Sequence, residues 1–480
     1  MEPPGLLDRF RSATLRQPVE WGLWAALPLA GMIWIGTRYD HGYFYFDEWK
    51  MIGDTRGSWF DMFSGFQGHL EVVSFVIYRV QRTVFGLDNH VLVYGAFMLS
   101  LAALHVALAL VLRRLGVPTL LALASATVAV YLGPGVQGMS WEFMLGINFA
   151  LALSLFAGLL ALQRAPTTRR AVAVAALLLL AFACDSGVAA FGAVFVGLVV
   201  VLQWSPRLAA LTLSIPAFAH VMWFVFGEEQ ITGAADFSKR FTFANRLFLY
   251  SVAALFGGGD VTVTSTGDPT IPVDAAPLGL GVLLLIGGCI AFGIVRRRVS
   301  RPVLIAGGAA LAAAVVMVVA IGWTRAFLIP TSNIVGSRYV QWCAVFLVVV
   351  LVPGLVMTLR SDNHRRNLAL GAVGVIVTVG AFVANLGALN EGRDFNEGWS
   401  DTSQLAIRRG ITVVANECGP VRELNPKGMP SPDLSPQLSV RLLRALLDEG
   451  SIPASFGSPA TADTRDLVCL RSDASNADNP

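Results

Sequence analysis

The sequence predicts an all-α polytopic membrane protein that crosses the bilayer about eleven times. Apolar residues make up 55% of the 480 positions, and charged residues make up only 14%. The mean hydropathy of +0.63 is far above that of a water-soluble domain. Apolar stretches long enough to span a hydrocarbon layer about 30 Å thick recur along the whole chain. The core of a water-soluble domain would not require so many long apolar stretches.

Eleven apolar segments are candidate transmembrane helices. The first follows three arginines and lacks a small-residue cleavage site, so it is predicted to be an uncleaved span. The stretches 70–85 and 247–256 are predicted to lie on the outer interface, because arginines interrupt the first and the second is too short to cross. The candidate spans are 21–37, 91–112, 120–132, 145–162, 171–183, 187–202, 208–226, 277–295, 302–323, 339–359 and 368–388.

Arginine is concentrated in alternate loops, which predicts sidedness by the positive-inside rule. With the amino terminus in the cytoplasm, the first outer loop is 39–90 and the tail from 389 is extracytoplasmic. The outer loops hold nearly all the acids, and the expected location is the plasma membrane. The predicted cytoplasmic loops carry Arg113, Arg114, Arg164, Arg169, Arg170, Arg207, Arg296, Arg297, Arg298, Arg301, Arg360, Arg365 and Arg366.

The chain is expected to divide into a transmembrane domain, 1–388, and a small outer tail, 389–480. Prolines make the tail loop-rich, although 440–447 is amphipathic, and a Ser, Asp and Asn run at its end predicts disorder. Cys418 and Cys469 lie in this tail, where an oxidising compartment would let them pair. Two unpaired thiols are the alternative. The other three cysteines fall within or beside spans and receive no predicted role.

The sharpest local signal is the pair Asp47 and Glu48, which follows the first span within a run of aromatic residues. Carboxylates at a bilayer margin are costly unless they are paired or hydrated. A partly desolvated Asp47 could act as a general base on an acceptor hydroxyl, with aromatic rings as a platform for sugar faces. The alternative is an ordinary interfacial loop with hydrated acids and an aromatic belt.

Further outward polar residues, among them Glu71 beside His69 and Arg325 in the same predicted loop as Arg338, could converge on the same site. Each has an ordinary structural alternative: His69 as a helix-start residue, Glu142 and Asp185 as helix caps, and the arginines as salt-bridge partners. A guanidinium group binds phosphate through a planar fork, so outward arginines suit a phospholipid-type donor. The predicted substrate-binding residues are Asp40, His69, Glu142, Asp185, Arg240, Arg338 and Tyr339.

Three short motifs resemble those of the GT-C superfamily of polytopic glycosyltransferases, which includes arabinosyl and mannosyl transferases of actinobacterial envelopes. Asp47-Glu48 after the first span looks like the acidic motif of that superfamily. Gly68-His69-Leu70, leading to Phe85-Gly86-Leu87, is similar to its His-initiated amphipathic segment. Ser337-Arg338-Tyr339 is similar to an Arg-Tyr pair that opens a late span. Leu70 and Glu71 stand where members often have two prolines.

The resemblance implies a GT-C-like fold and an inverting glycosyltransferase. The donor would be a polyprenyl-phosphate sugar that approaches sideways from the bilayer, with its phosphate held by basic groups. Asp47 would deprotonate an envelope glycan, lipid or protein acceptor. Some relatives use a divalent metal at the acidic loop, and adjacent acids are compatible with that, but neither metal nor other cofactor is predicted. Nucleic acid is not an expected partner.

Two other function classes share the many spans and polar outer loops. A transporter or lipid flippase commonly has ionisable groups near the midplane and internal repeats. Here His105 and His220 are the few such residues within predicted spans, and no repeat is visible. A non-catalytic envelope assembly protein is the other alternative, and its outer acids would be dispensable. The sugar, the acceptor and the oligomeric state are not encoded in any readable pattern.

Overall fold

The structure is a computed structural model that describes residues 18–39, 44, 47–66, 68–163, 166–226, 235–258, 262–263, 269–272, 275–327, 334–418, 424–432 and 437–470. Helices dominate these residues, and three short strands form one antiparallel sheet. The strands are β1 (Thr262–Val263), β2 (Pro269–Pro272) and β3 (Ile334–Gly336), in the order β1-β2-β3. The predominance of helix, with eight helices that could cross a membrane among the described residues, is consistent with the predicted polytopic membrane protein.

The principal helices follow one another with short connections. They are α1 (Pro18–Tyr39), α2 (Asp47–Asp54), α3 (Val72–Val80), α4 (Val91–Arg114), α5 (Thr119–Val130), α6 (Leu145–Ala161), α7 (Thr168–Cys184), α8 (Ser186–Gln203), α9 (Pro206–Phe226), α10 (Phe237–Ala254), α11 (Ala276–Val295), α12 (Arg301–Arg325), α13 (Ser337–Leu359), α14 (His364–Ala384), α15 (Leu386–Thr412), α16 (Val440–Asp448) and α17 (Ala462–Val468). Single turns lie at Trp59–Phe63, Gly133–Gly135, Gln137–Ser140, Glu142–Met144 and Ala454–Phe456, and π-helical turns at Gln81–Phe85 and Val413–Glu417.

A helix occupies each of the eleven predicted spans. Within the described residues, eight of these helices are long and apolar enough to cross a membrane: α4, α6, α8, α9, α11, α12, α13 and α14. The apolar part of α1 is Gly22–Thr37, while α5 has 12 residues and α7 has 17. The count of eleven crossings therefore stays a prediction.

The centre of the bundle is formed by α4, α6, α8, α12 and α13, in which α6 packs against α4 and α8, and α12 packs against α8 and α13. In contrast, the most apolar stretch of α9 is only 17% buried inside the protein, and that of α14 only 6%. Large side chains on these two helices, such as Phe224 and Ile376, are exposed. Apolar side chains without protein contacts are stable where lipid surrounds them, so α9 and α14 are peripheral helices.

The chain breaks its helix after α5 and continues through a buried segment, 131–136. Non-helical backbone at membrane depth is tolerated only where protein groups satisfy its polar atoms. Gln341 of α13 does so, because its Nε2 donates to the Val130 carbonyl at 2.8 Å. A Cβ at Gly138 would lie 1.7 Å from Gln341 Oε1, so glycine is needed for this close approach.

Both predicted interfacial stretches contain helix. The first becomes α3 followed by a π-helical turn that ends at Phe85, and its Arg82 is buried. The second belongs to α10, which begins at Phe237, ten residues before the predicted segment. Asp236 caps this helix by accepting a hydrogen bond from the Lys239 amide at 2.6 Å. The longer helix therefore has a cap that the hydropathy pattern did not reveal.

The tail is more helical than its proline content predicts. Helix α15 passes through the predicted boundary at 389, and the amphipathic stretch 440–447 is confirmed as α16. Cys418 and Cys469 form a disulfide, with an S–S distance of 2.02 Å. The run predicted to be disordered, 471–480, lies outside the described residues.

The tail contacts the first outer loop through Glu449, just after α16. Its carboxylate lies 2.7 Å from Arg82 Nη1 and 3.1 Å from Arg56 Nε. Partial burial acts to raise the pKa of Glu449, but hydrogen bonds from Ser451, Arg56 and Arg82 outweigh it, so the pKa is lowered. The Leu87 amide also donates to the Ser451 carbonyl at 2.8 Å. The last segment of the chain thus stabilises the first loop.

Replacing Glu449 by Gln should weaken this docking by about 1–2 kcal/mol, because a charged acceptor is lost from two guanidinium groups. Hydrogen exchange in 47–56 and 440–452 should become faster. Because the pKa of Glu449 is lowered in the folded protein, its carboxylate stabilises the docked loop at neutral pH, and this stabilisation is lost as the pH falls through that pKa. In acid, the protection of wild-type amides in these segments should therefore approach that of the Glu449→Gln variant at the same pH.

The matched control is Asp448→Asn, which removes a neighbouring acid that pairs only with Arg444, at 2.9 Å, on an exposed surface. This variant should leave exchange in 47–56 unchanged. Equal acceleration by both variants would mean that general charge, and not the contacts of Glu449, holds the loop.

Candidate active site

A cavity of about 530 Å³ lies at the end of the bundle that is predicted to face outward. It is formed by α2, the segment before α3, the turn before α6, the α7–α8 junction, α9, the end of α12 and the start of α13. Its polar lining residues are Asp47, His69, Glu71, Asp185, Ser186, His220, Thr324, Arg325, Arg338 and Tyr339. Acids and cations from distant parts of the sequence therefore meet in one space.

Asp47 and Glu48 point to different surroundings although they are adjacent in the first turn of α2. Asp47 lines the cavity and is 7% exposed, whereas Glu48 is fully buried and accepts a hydrogen bond from the Tyr78 hydroxyl. Burial and the charge of Glu48 raise the pKa of Tyr78, which keeps that hydroxyl a donor. Glu48 thus fixes α2 against α3, and Asp47 is the member of the pair that a ligand can reach.

Aromatic packing holds this turn in place. Trp49 donates its Nε1–H to the Phe44 carbonyl at 2.8 Å, and the two rings pack edge to face with centroids 5.8 Å apart. Both side chains are fully buried. Phe44 and Trp49 therefore support the turn that carries Asp47, while residues 43, 45 and 46 of the aromatic run lie outside the described residues.

The segment that carries His69 and Glu71 is fixed to the start of α8. Leu70 donates to Ser186 Oγ at 2.8 Å and accepts from the Ser186 amide at 3.1 Å. This pairing places His69 over Gly187, where a Cβ would lie only 2.3 Å from His69 Nδ1. On the other side, His69 Nε2 lies 3.5 Å from Arg325 Nη2. His69 is thus part of the cavity wall and not of α3.

Glu71 is buried beside two other acids. Burial raises its pKa well above the ordinary glutamate value, and the nearby charges of Asp185 and Asp47 raise it further, while the adjacent Ser74 hydroxyl lowers it. Burial beside other acids favours the protonated form of a carboxyl group. The surroundings of Glu71 therefore favour a neutral carboxyl group within the acid cluster.

Asp185 is both a helix cap and a cavity residue. Its Oδ1 accepts a hydrogen bond from the Val188 amide at 2.6 Å, which caps α8. The cap alternative is thereby confirmed, yet the same side chain lines the cavity and is only 2% exposed. The amino end of α8 favours the negative charge, so the carboxylate is stabilised where it lies.

Two arginines at the helix ends supply positive charge opposite the acids. Arg325 ends α12, and Arg338 lies in the first turn of α13. The Arg338 guanidinium lies 5.5 Å from the ring centre of Trp141 and donates to the Tyr339 hydroxyl at 3.3 Å. These contacts orient its planar group at the cavity wall, in a form suited to an anion.

The opposite wall of the cavity is apolar and reaches a peripheral helix. Val221 and Phe224 of α9 line the cavity, and they are 58% and 79% exposed on the outer surface of the bundle. The indole N–H groups of Trp223 and Trp342 have no hydrogen-bond partner among the described residues. A lateral opening with unsatisfied donors suits a ligand that is partly lipid and partly polar.

Two predicted substrate-binding residues, Glu142 and Arg240, do not line this cavity. Glu142 is buried, with Oε1 3.2 Å from His90 Nδ1. Arg240 lies over the Trp323 ring at 5.0 Å and donates its Nε–H to the Ala235 carbonyl at 2.9 Å. Asp40 lies outside the described residues. His69, Asp185, Arg338 and Tyr339 all line the cavity together with Asp47.

The cavity also contains Glu71 and Arg325, which the sequence places among the outward polar residues that could converge on this site. Neither belongs to the set selected as substrate-binding residues. Trp223 and Trp342 are ordinary apolar positions in a hydropathy profile. Within the described part of the chain, no group of three or more His, Cys, Asp or Glu residues has a geometry that could hold a metal ion.

Comparison with known proteins gave no match to a family model, to a curated protein or to a solved structure. The function therefore has to be argued from the cavity itself.

The raised pKa of Glu71 predicts a protonated carboxyl group at neutral pH, since the proton leaves only as the pH rises through that value. Infrared difference spectra of the full-length protein at neutral pH should contain its carboxylic C=O band. Burial also raises the pKa of Glu142, so that residue contributes to the same band, and Glu71→Gln should reduce the band with little loss of stability, because the amide resembles the neutral acid. Asp54→Asn, at a half-exposed acid that pairs with Lys50 at 2.9 Å, is the control and should leave the band unchanged. An unchanged band in Glu71→Gln would contradict the assignment.

Proposed function

We propose that this chain is an inverting membrane glycosyltransferase that moves a sugar from a polyprenyl-phosphate donor to an envelope glycan, lipid or protein acceptor. The reaction would take place at the outer face of the plasma membrane. We also infer eleven crossings, with an inner amino terminus and an outer tail, because a helix occupies each predicted span and the arginine-rich loops alternate.

One observation carries the proposal: a single cavity contains a buried carboxylate, two arginines and a lipid-facing wall. Asp47 lies at one side, and Arg325 and Arg338 at another. The exposed side chains of Val221 and Phe224 extend the cavity to the surface that faces lipid. A polyprenyl chain could remain against α9 while its phosphate reaches the arginines, so donor and acceptor chemistry would meet without the lipid leaving the bilayer.

The proposed transfer is one direct displacement. The Asp47 carboxylate takes the proton of the acceptor hydroxyl as that oxygen forms a bond to the anomeric carbon. The bond from the anomeric carbon to the phosphate oxygen breaks at the same time, and polyprenyl phosphate leaves with the bonding electron pair. Attack opposite to the leaving group inverts the anomeric centre. Asp47 ends protonated and returns its proton to water.

The cationic wall would stabilise the leaving group. Negative charge grows on the phosphate as the glycosidic bond breaks. The guanidinium groups of Arg325 and Arg338 can stabilise that charge by donating paired N–H hydrogen bonds to the phosphate oxygens. Glu71, held neutral, avoids adding a further negative charge beside the phosphate. His69, 3.5 Å from Arg325, positions that arginine.

Replacing Asp47 by Asn should lower the transfer rate by about 10²–10⁴-fold, because the amide cannot accept the acceptor proton. The assay uses membranes that contain the full-length protein and a labelled polyprenyl-phosphate sugar. Asp88→Asn is the control, since Asp88 is an exposed acid of the same outer loop and does not line the cavity. It should retain wild-type activity.

Full activity of an inserted Asp47→Asn protein would eliminate the proposed base. If wild-type protein moved the intact lipid-linked sugar across vesicles without transferring it, the transporter or flippase alternative would replace the enzyme. If neither reaction depended on the outer acids, a non-catalytic assembly role would be favoured.

Replacing Arg338 by Ala should raise the KM for the donor by about tenfold or more, because a charge-assisted hydrogen bond to phosphate is lost. The KM for the acceptor should change little. Arg240→Ala is the control, since that arginine lies outside the cavity against Trp323. Equal effects of the two substitutions on donor KM would remove Arg338 from the proposed phosphate site.

A further inference from the structure

A second cavity, of about 520 Å³, lies at the opposite end of α13. The first cavity is lined by Arg338, Tyr339 and Trp342 at the start of this helix, and the second by residues from Leu351 to Arg360 at its end. At about 1.5 Å per residue, Trp342 and Leu355 are separated by roughly 20 Å along the helix axis. The second cavity is therefore a distinct site.

The second cavity is an apolar groove between α5, α13 and the peripheral helix α14. Leu121 comes from α5, Val352 and Leu355 from α13, and Val373 and Val377 from α14. A smaller void of about 60 Å³ shares Ser125, Phe256 and Val377 with it and extends the groove deeper into the bundle. The result is an elongated slot, a shape that suits an extended hydrocarbon chain.

Glycine residues on α14 keep the groove open. Gly371 lines it, and a Cβ built there would meet no atom within 4 Å. Gly374 lies one turn further, where a Cβ would lie 3.1 Å from the Leu121 side chain. The side chains of Val373 and Val377 are 55% and 51% exposed, so the groove opens to the lipid-facing surface of α14.

One end of the groove is basic. Arg113, Arg360 and His364 line it, at the end of α4, the end of α13 and the start of α14. Arg113 also donates to the Val117 carbonyl at 3.0 Å. The Arg360 guanidinium and the His364 ring have no hydrogen-bond or ion-pair partner among the described residues. Asp362 is exposed in the same turn but does not line the groove.

We propose that this groove binds an anionic phospholipid, with an acyl chain in the slot and the phosphate headgroup against Arg113, Arg360 and His364. Charge complementarity selects this occupant, because an apolar slot that ends in cations at an arginine-rich end of the bundle matches an acidic headgroup with a hydrocarbon tail. A neutral lipid would bring no net negative charge to Arg360. A free phosphate would leave the slot empty.

The lipid would act as a structural ligand of α14. This helix has little contact with the bundle, so a bound acyl chain would fill the gap between α14 and α13. The proposal does not depend on glycosyl transfer, because the groove shares no residue with the cavity that contains Asp47.

The test is native mass spectrometry of the delipidated full-length protein in detergent, titrated with phosphatidylglycerol or phosphatidylcholine. Wild-type protein should bind one phosphatidylglycerol in preference to phosphatidylcholine. Replacing both headgroup contacts with Arg360→Ala and His364→Ala should weaken that binding by about fivefold or more, the loss that one arginine charge carries. The control Arg365→Ala with Arg366→Ala removes charge from the same end of α14 but not from the groove, and its effect should be smaller.

A second pair of variants tests the slot. Gly371→Phe should fill the groove and abolish tight phosphatidylglycerol binding. Gly380→Phe is its matched control, because it lies on the same helix, has nothing within 4 Å of a built Cβ and does not line the groove. If Gly371→Phe fails to fold, the arginine and histidine variants alone decide the result.

Several results would overturn the proposal. Equal binding of phosphatidylcholine would remove the role of charge, and equal effects of the two charge-removing variants would indicate general surface attraction. Full competition by inorganic phosphate or glycerol phosphate would make the groove a soluble-anion site. Dimerisation that depends on Gly371 and excludes lipid would assign the groove to a second copy of the chain.

Discussion

The cost of placing carboxyl groups at the margin of a low-dielectric layer governs the end of the bundle that contains Asp47. Four of the acids there each have their own means of stabilisation. Glu48 accepts from Tyr78, Glu142 lies beside His90, Asp185 caps α8, and burial favours the neutral form of Glu71. These arrangements require α2, α3, α4 and α8 to meet at fixed positions, because each partner comes from a different segment. The cavity around Asp47 is formed by that set of constraints, and its rigidity follows from them.

Both large cavities lie where a peripheral helix meets the tightly packed centre. Helix α9 borders the first and α14 the second, and these are among the least buried helices of the bundle. The centre, by contrast, is closed by small residues and by side chains such as Gln341, which satisfies the broken end of α5. The chain thus separates two requirements. Central helices provide stability, while weakly packed outer helices leave space that is open to lipid.

Hydropathy and arginine placement predicted where the helices lie, because each span must be apolar along its own length. They did not predict the π-helical turn after α3, the early start of α10 or the helical tail, which depend on caps and contacts between segments. In the site, Asp47, His69, Asp185 and Arg338 could be predicted because each follows or precedes a span at the same end. Glu71 and Arg325 also belong to the outward polar residues at this end, but which of these residues line the cavity depends on how the helices pack. Glu142 shared the same local pattern but is directed toward His90.

The tail contains a disulfide between residues 51 positions apart, which restricts the unfolded segment and stabilises it by about 4 kcal/mol in the chain-entropy description. This cross-linked segment follows the membrane helices in the chain, yet its Glu449 pairs with Arg56 and Arg82, which come from a much earlier loop. The loop next to Asp47 therefore lacks this support until the chain has been synthesised through Glu449. Maturation of the site is thus coupled to synthesis of the tail, so that a chain terminated before α16 would have an incompletely ordered loop beside Asp47.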